Sequence, residues 1–153
     1  MINPSGSFSF DLVIFGATGD LSMRKLIPAL YSRDQAGQLN DDVRLFAVAR
    51  AQLADDEFRN LAVEALQKHL PAGEFNREKA LRFATRLKYL ALDADSPEDY
   101  RKLYKVLDGD DERILVFYLA MAPRFFGSVC RHLGATELNR PGARVVLEED
   151  CAP

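Results

Sequence analysis

The sequence predicts an α/β fold in which a parallel sheet is covered by helices on both faces. Three observations carry that prediction. Short apolar runs of strand length alternate with longer segments patterned at helical spacing. The strand runs are apolar at consecutive positions rather than at every second one, as strands buried on both faces require. A glycine-containing turn follows the first run and opens the first helical segment, the place where α/β folds admit ligands.

Residues 11–15 form the first strand, which ends at Gly16. Residues 21–35 form the first helix, with Leu26, Ile27, Leu30 and Tyr31 on its apolar stripe. Pro28 conflicts with a continuous helix: it has no N–H for the ladder and its ring crowds the preceding turn, so a kink or a restart is expected. Gly37 ends that helix. Residues 43–49 form the second strand. Residues 55–70 form the second helix, with Phe58, Leu61, Ala62, Ala65 and Leu66 at helical spacing, and Pro71-Ala72-Gly73 breaks the chain. A short helix at 76–85 and a third strand at 87–92 follow. Ser96-Pro97-Glu98-Asp99 reads as an N-cap, a first-turn proline and acidic residues suited to the positive end of a helix dipole. That helix reaches Leu107, and 108–112 is an acidic turn. Residues 114–120 form the fourth strand, 125–133 the next helix and 143–148 the fifth strand. This order makes a Rossmann-like doubly wound parallel sheet of about five strands. No internal repeat, low-complexity stretch or linker divides it, and 153 residues suit one domain.

Composition narrows the function classes. With 48% hydrophobic and 28% charged residues, the chain has the make-up of an ordinary soluble globular domain. A net charge of −3 supplies no basic field, which sets aside nucleic acid and anionic membrane as primary partners. The longest apolar run, 114–122, is far short of the roughly 20 residues that span a bilayer. The polar segment 1–7 lacks a secretory signal pattern, so a cytoplasmic location is expected. Cys130 and Cys151, the two cysteines, have no metal-type spacing. They read as a buried thiol and a tail thiol in a reducing compartment, and no metal site is expected.

The chemistry concentrates at Gly16-Ala17-Thr18-Gly19-Asp20-Leu21. A nucleotide diphosphate must be met at close range, and glycine lets the backbone turn tightly with no Cβ in the way. The helix that follows offers N–H groups and a partial positive charge. Two glycines between a strand and a helix are often only a turn, but placement after the first buried strand favours phosphate binding. The pattern is not a P-loop, because no Gly-Lys-Ser/Thr follows. Arg50 ends the second strand, beside the adenosine ribose in dinucleotide folds. An acidic residue there suits the 2′-hydroxyl of NAD; an arginine suits the 2′-phosphate of NADP.

The run Gly16-Ala17-Thr18-Gly19-Asp20-Leu21-Ser22-Met23-Arg24-Lys25-Leu26-Ile27-Pro28 resembles the opening motif of the glucose-6-phosphate dehydrogenase family. In the same order, Ala49-Arg50, Phe117-Tyr118-Leu119-Ala120-Met121-Ala122-Pro123 and Arg144-Val145-Val146-Leu147-Glu148 resemble later family segments. The resemblance covers about residues 10–148 and includes Pro28. It implies an NADP-dependent oxidation of glucose 6-phosphate at C1 to 6-phosphogluconolactone, in the pentose phosphate pathway. It implies that Gly16, Gly19, Asp20 and Leu21 shape the coenzyme turn, with Ala17 and Thr18 inside it. By the same resemblance Arg50 binds the 2′-phosphate, Leu92 and Asp93 lie near the adenosine, and Tyr118, Leu119, Ala120 and Pro123 line the coenzyme cleft. Lys25 matches a lysine near coenzyme and sugar phosphate; a lysine on a helix surface is otherwise simply solvated.

The chain departs from the family after Glu148. The family continues Lys-Pro-Leu-Gly, whereas Glu149-Asp150-Cys151-Ala152-Pro153 stands here. Glu149 reverses the charge of a lysine that would contact substrate and coenzyme, which is unfavourable beside phosphate. The family's histidine motif, Arg-Ile-Asp-His-Tyr-Leu-Gly-Lys, is not found, and His69 and His132 lie in predicted helices that do not match it. The expected organisation is a tail at 1–9, a dinucleotide-binding domain at 10–148 and a divergent tail at 149–153, with the catalytic C-terminal domain absent. No catalytic residue is assigned. The chain alone is expected to bind NADP without turnover and to self-associate through apolar surface that a further domain would cover.

Two other readings compete. A non-catalytic dinucleotide sensor of short-chain-dehydrogenase-like fold shares a Gly-Ala-Thr-Gly opening. Its catalytic members need Tyr-x-x-x-Lys, and none of the five tyrosines has a lysine four residues on. The sensor also leaves the 24–28 run and the Tyr118 segment without a role. The remaining reading is a non-functional fragment of low stability.

Overall fold

Strands β1 (Phe10–Phe15), β2 (Arg44–Ala49), β3 (Leu87–Ala91), β4 (Ile114–Leu119) and β5 (Arg144–Leu147) pair side by side in the order β3-β2-β1-β4-β5. Every pairing is parallel. The computed structural model describes residues 9–107, 113–138 and 141–147. The expected acidic turn at 108–112, Glu148, the tail at 149–153 with Cys151, and 1–8 of the N-terminal tail lie outside the described residues. The helices are α1 (Ile27–Gln35), α2 (Asp55–His69), α3 (Arg77–Ala84), α4 (Pro97–Val106) and α5 (Phe126–Ala135). The chain moves outward from β1 to β3 and then returns to β4 on the other side of β1. That reversal creates a crevice at the carboxyl ends of the strands.

Alternate residues of the central strands feed two cores. Leu12 and Ile14 of β1 and Leu45 and Ala47 of β2 pack with Ile27 and Leu30 of α1, Phe58 and Leu66 of α2, and Phe83 of α3. Val13 and Phe15, with Phe46 and Val48, face Tyr100 and Leu103 of α4 and Val129 and Leu133 of α5. Both faces of β1 and β2 are therefore dry, which accounts for their unbroken apolar sequence. Each such large side chain contributes roughly 1.5–3 kcal/mol by its burial.

Pro28 interrupts the first helix in a specific way. Ser22–Leu26 form a π-helical turn, with the Ile27 N–H donating to the Ser22 carbonyl five residues back. The proline then falls in the first turn of α1, where a missing N–H costs least. The expected kink is thus absorbed by widening one turn.

Two expectations change. Cys130 is exposed rather than buried, because the α5 positions that face the core are Val129 and Leu133. The sheet is not covered on both faces throughout: Val145, Val146 and Leu147 of β5 are 44%, 39% and 53% exposed. The described helices cover the strands on either side of β1 but leave β5 open as an apolar edge.

Asp11 is fully buried in β1. Its Oδ1 accepts from Arg44 Nε at 2.7 Å and from Arg113 Nε at 2.9 Å. Arg44 also donates to the Leu107 carbonyl and Arg113 to the Phe10 carbonyl. One carboxylate thereby ties β1 to β2 and to the residue preceding β4. Asp11→Asn leaves two guanidinium groups without their counter-charge and should cost about 3 kcal/mol. Urea unfolding would register that as a lower midpoint with an unchanged slope.

Candidate functional site

The turn after β1 is held to both neighbouring strands. The Gly16 and Ala17 N–H groups donate to the Val48 carbonyl at 3.0 and 3.1 Å, and the Ala120 N–H donates to the Phe15 carbonyl at 2.9 Å. Gly16 has a φ of +76°, and a Cβ there would lie 2.5 Å from the Ala120 carbonyl oxygen. Both the conformation and the close approach demand glycine. At Gly19 a Cβ would meet the Gly16 carbonyl oxygen at 3.2 Å. The Gly19 N–H closes the turn onto that same oxygen at 3.0 Å, and its carbonyl accepts from Met23 N–H. The helix therefore begins directly after a turn in which neither Gly16 nor Gly19 carries a side chain and Thr18 is exposed.

A cleft of about 300 Å³ opens over this turn. Its walls include Gly16, Thr18 and Gly19 of the turn, Arg50 beyond β2, Leu92 beyond β3, and Ala120 beyond β4. A second cleft, about 450 Å³, lies on the β4 side and includes Asp20, Leu21 and Pro123. Gly19, Ala120 and Met121 line both, so the clefts meet across the glycine turn. A dinucleotide needs this shape: two recesses joined where a diphosphate passes over the start of a helix.

Several residues singled out in the sequence take other positions. Ala17 is buried in the core beneath the turn. Leu119 points into the α4–α5 core, and Tyr118 packs against the opposite one. Asp93 is exposed; its Oδ1 accepts from Asp95 N–H at 2.9 Å and its N–H donates to Asp99 Oδ2 at 2.8 Å. Lys25 is exposed on the π-helical turn. These five line neither cleft. His132 stacks on Tyr100 with ring centroids 4.8 Å apart, and its Nδ1 lies 2.7 Å from the Ser128 carbonyl. Asp20 pairs with Arg24 at 3.0 Å across one helical turn, an exposed contact of small energetic weight. Among the described residues no group of three acidic, His or Cys side chains could hold a metal.

Met121, part of the Phe117–Pro123 segment, lines the first cleft, as do Ala94 and Phe125, which the sequence did not mark as site residues. Nor did it flag Tyr89 as relevant to the site. The Tyr89 hydroxyl donates to the Ala51 carbonyl at 2.6 Å and lies 3.1 Å from the Ala49 carbonyl, on either side of Arg50. Burial raises the Tyr89 pKa, which keeps the hydroxyl protonated.

Gly16→Ala should destabilise the chain by about 3 kcal/mol, combining a positive φ with a backbone clash. Gly37 has a similar φ of +72° but open space around it, so Gly37→Ala should cost only about 1 kcal/mol. Thermal unfolding of the two variants separates the shared conformational cost from the close approach.

Comparison with known proteins agrees with this geometry. The family described as glucose-6-phosphate dehydrogenase, NAD binding domain, matches residues 13–150. Glucose-6-phosphate 1-dehydrogenase of Rhizobium meliloti is 40% identical over 140 residues, covering 92% of this chain and 28% of that protein. The corresponding protein of Mycolicibacterium smegmatis is 43% identical over 150 residues, covering 95% of this chain and 30% of that one. The crystal structure of glucose-6-phosphate 1-dehydrogenase from Mycobacterium avium superimposes with a TM-score of 0.83 at 30% identity, covering 93% of this chain and 30% of that chain. The chain thus spans less than a third of the length of these relatives. Over the residues that it does share with them, it belongs to the family of glucose-6-phosphate dehydrogenase NAD-binding domains.

Proposed function

We propose that this chain is the NADP-binding part of a cytoplasmic glucose-6-phosphate 1-dehydrogenase, and that alone it binds coenzyme without turning over sugar. The carrying observation is the convergence of Gly16, Gly19 and Arg50 on one cleft. The Gly16, Ala17 and Gly19 N–H groups are taken up within the fold, so the glycine turn's part is to bring a diphosphate close to the positive start of the first helix, and Arg50 offers a planar, permanently charged donor to a ribose phosphate. The missing Cβ at Gly16, whose place would lie within 2.5 Å of the Ala120 carbonyl oxygen, fits a backbone shaped for close approach. The adenosine half would lie toward Arg50 and Leu92, and the nicotinamide half toward Leu21, Ala120 and Pro123.

Bound NADP would accept the hydride that leaves C1 of glucose 6-phosphate as its hydroxyl loses a proton. One related structure is of glucose-6-phosphate dehydrogenase in complex with glucose 6-phosphate. Lys25 is the residue here proposed to approach the sugar phosphate. A base within hydrogen-bond reach of the C1 hydroxyl is required, and neither His69, at the end of α2, nor His132, stacked on Tyr100, is assigned that role. No helix among the described residues is long and apolar enough to cross a membrane.

Calorimetric titration with NADP and NAD tests the binding half of this reading. Arg50→Ala should weaken NADP by about 1.5–3 kcal/mol, the scale of a charge-assisted contact, while NAD changes little. Equal weakening of both coenzymes would remove the 2′-phosphate role from Arg50. Lactone formation by the chain alone would overturn its catalytic incompleteness.

The exposed apolar edge at β5 supports self-association of the isolated chain, with the β5 strands of two copies pairing edge to edge. Sedimentation should show a concentration-dependent dimer that Val146→Lys abolishes. A monomer at every concentration would count against the pairing.

A further inference from the structure

The loop that carries Arg50 is short, exposed and connects β2 to α2, so something must hold its guanidinium in register with the cleft. The described contacts converge on one side chain of β3. The Tyr89 hydroxyl reaches the Ala51 carbonyl at 2.6 Å and approaches the Ala49 carbonyl at 3.1 Å, the peptide oxygens on either side of Arg50. The Tyr89 main-chain N–H donates to Asp55 Oδ1 at 2.8 Å, and Asp55 is the first residue of α2. A single residue therefore touches both ends of the loop, 50–54. Its ring stacks on Phe58 of α2 with centroids 5.1 Å apart and planes 23° from parallel. Stacking and hydrogen bonding together leave the phenol little rotational freedom. The Leu92 N–H also donates to the Ala49 carbonyl at 2.8 Å, so that oxygen already has a partner and the Ala51 oxygen is the hydroxyl's principal acceptor.

We propose that Tyr89 is a positioning residue for coenzyme selectivity: its hydroxyl holds the loop in the conformation that presents Arg50 to the 2′-phosphate. The inference rests on the NADP-binding reading above. Tyr89 lines neither cleft, so its effect passes through the backbone of the loop rather than through contact with the ligand. Without the hydroxyl the Ala51 carbonyl turns to water, while Ala49 keeps its bond from Leu92 N–H, and the arginine between them samples orientations that miss the phosphate. A coenzyme without that phosphate loses nothing by this, because the glycine turn and the Leu92 wall are untouched.

Tyr89→Phe tests this, since it keeps the ring and its stacking and deletes only the hydroxyl. Titrations with NADP and NAD should show NADP weakened about fivefold, the effect of one lost hydrogen bond, and NAD changed by less than about twofold. In an Arg50→Ala background the same change should leave NADP affinity unaltered, because its effect is routed through Arg50. Amide hydrogen exchange on the ligand-free chain should show faster exchange confined to the 50–54 loop. An undiminished NADP preference in Tyr89→Phe, a loss that persists in the Arg50→Ala background, or unaltered exchange in the loop would each overturn the proposal for Tyr89 alone. If the unaltered chain fails to bind NADP more tightly than NAD, the function proposed above falls, and Tyr89 with it.

Discussion

Everything at the candidate site depends on how closely the backbone at Gly16 approaches the backbone at Ala120. The two chains meet at the carboxyl ends of adjacent parallel strands, where Phe15 and Leu119 are register partners. A methyl group at position 16 would sit 2.5 Å from the carbonyl oxygen of Ala120, whose own N–H is bonded to the Phe15 carbonyl. Because no Cβ intervenes at position 16, the turn packs directly against the residues after β4, and the two clefts share Gly19, Ala120 and Met121. The floor of the first cleft is accordingly backbone at Gly16 and Gly19, while its walls carry the side chains of Arg50, Leu92 and Phe125.

The two ends of the sheet have different duties. At the amino ends, Asp11 gathers Arg44 and Arg113 into a buried ionic clamp that holds β1, β2 and the approach to β4. At the carboxyl ends, the turn, the Arg50 loop and the residues after β4 form the clefts. The split follows from parallel pairing, which places all strand starts and the loops leading into them on one side, and all strand ends and the loops leaving them on the other. Side chains at the first end can be chosen for stability without disturbing the second. β5 joins the sheet by pairing with β4 yet keeps its own apolar residues exposed. Relatives more than three times as long share this domain.

Local rules made much of the architecture legible. The doubly buried strands, the glycine turn, the proline in the first helix and the Ser96 N-cap each follow from nearest-neighbour sterics or burial, and the observed elements begin and end within about two residues of their expected places. Of the residues tied to the coenzyme, Gly16, Thr18, Gly19, Arg50, Leu92 and Ala120 line the first cleft. Tyr118 and Leu119 could not be assigned to a wall from their motif, since alternation sends adjacent strand residues to opposite cores. Cys130 was misplaced for a related reason: helical spacing names the buried stripe only once its phase against the sheet is known.

By itself the sequence determined which segments are strands and helices, where the chain must turn on glycine, and that an arginine ends the second strand. Those properties are local, governed by backbone sterics and side-chain polarity within a few residues. The tertiary structure alone decided that Tyr89 meets the peptides around Arg50, that Asp11 faces two arginines distant in the chain, and that Phe125 reaches the first cleft. Such contacts depend on strand order and register, which bring together residues tens of positions apart and leave no periodic trace in the chain.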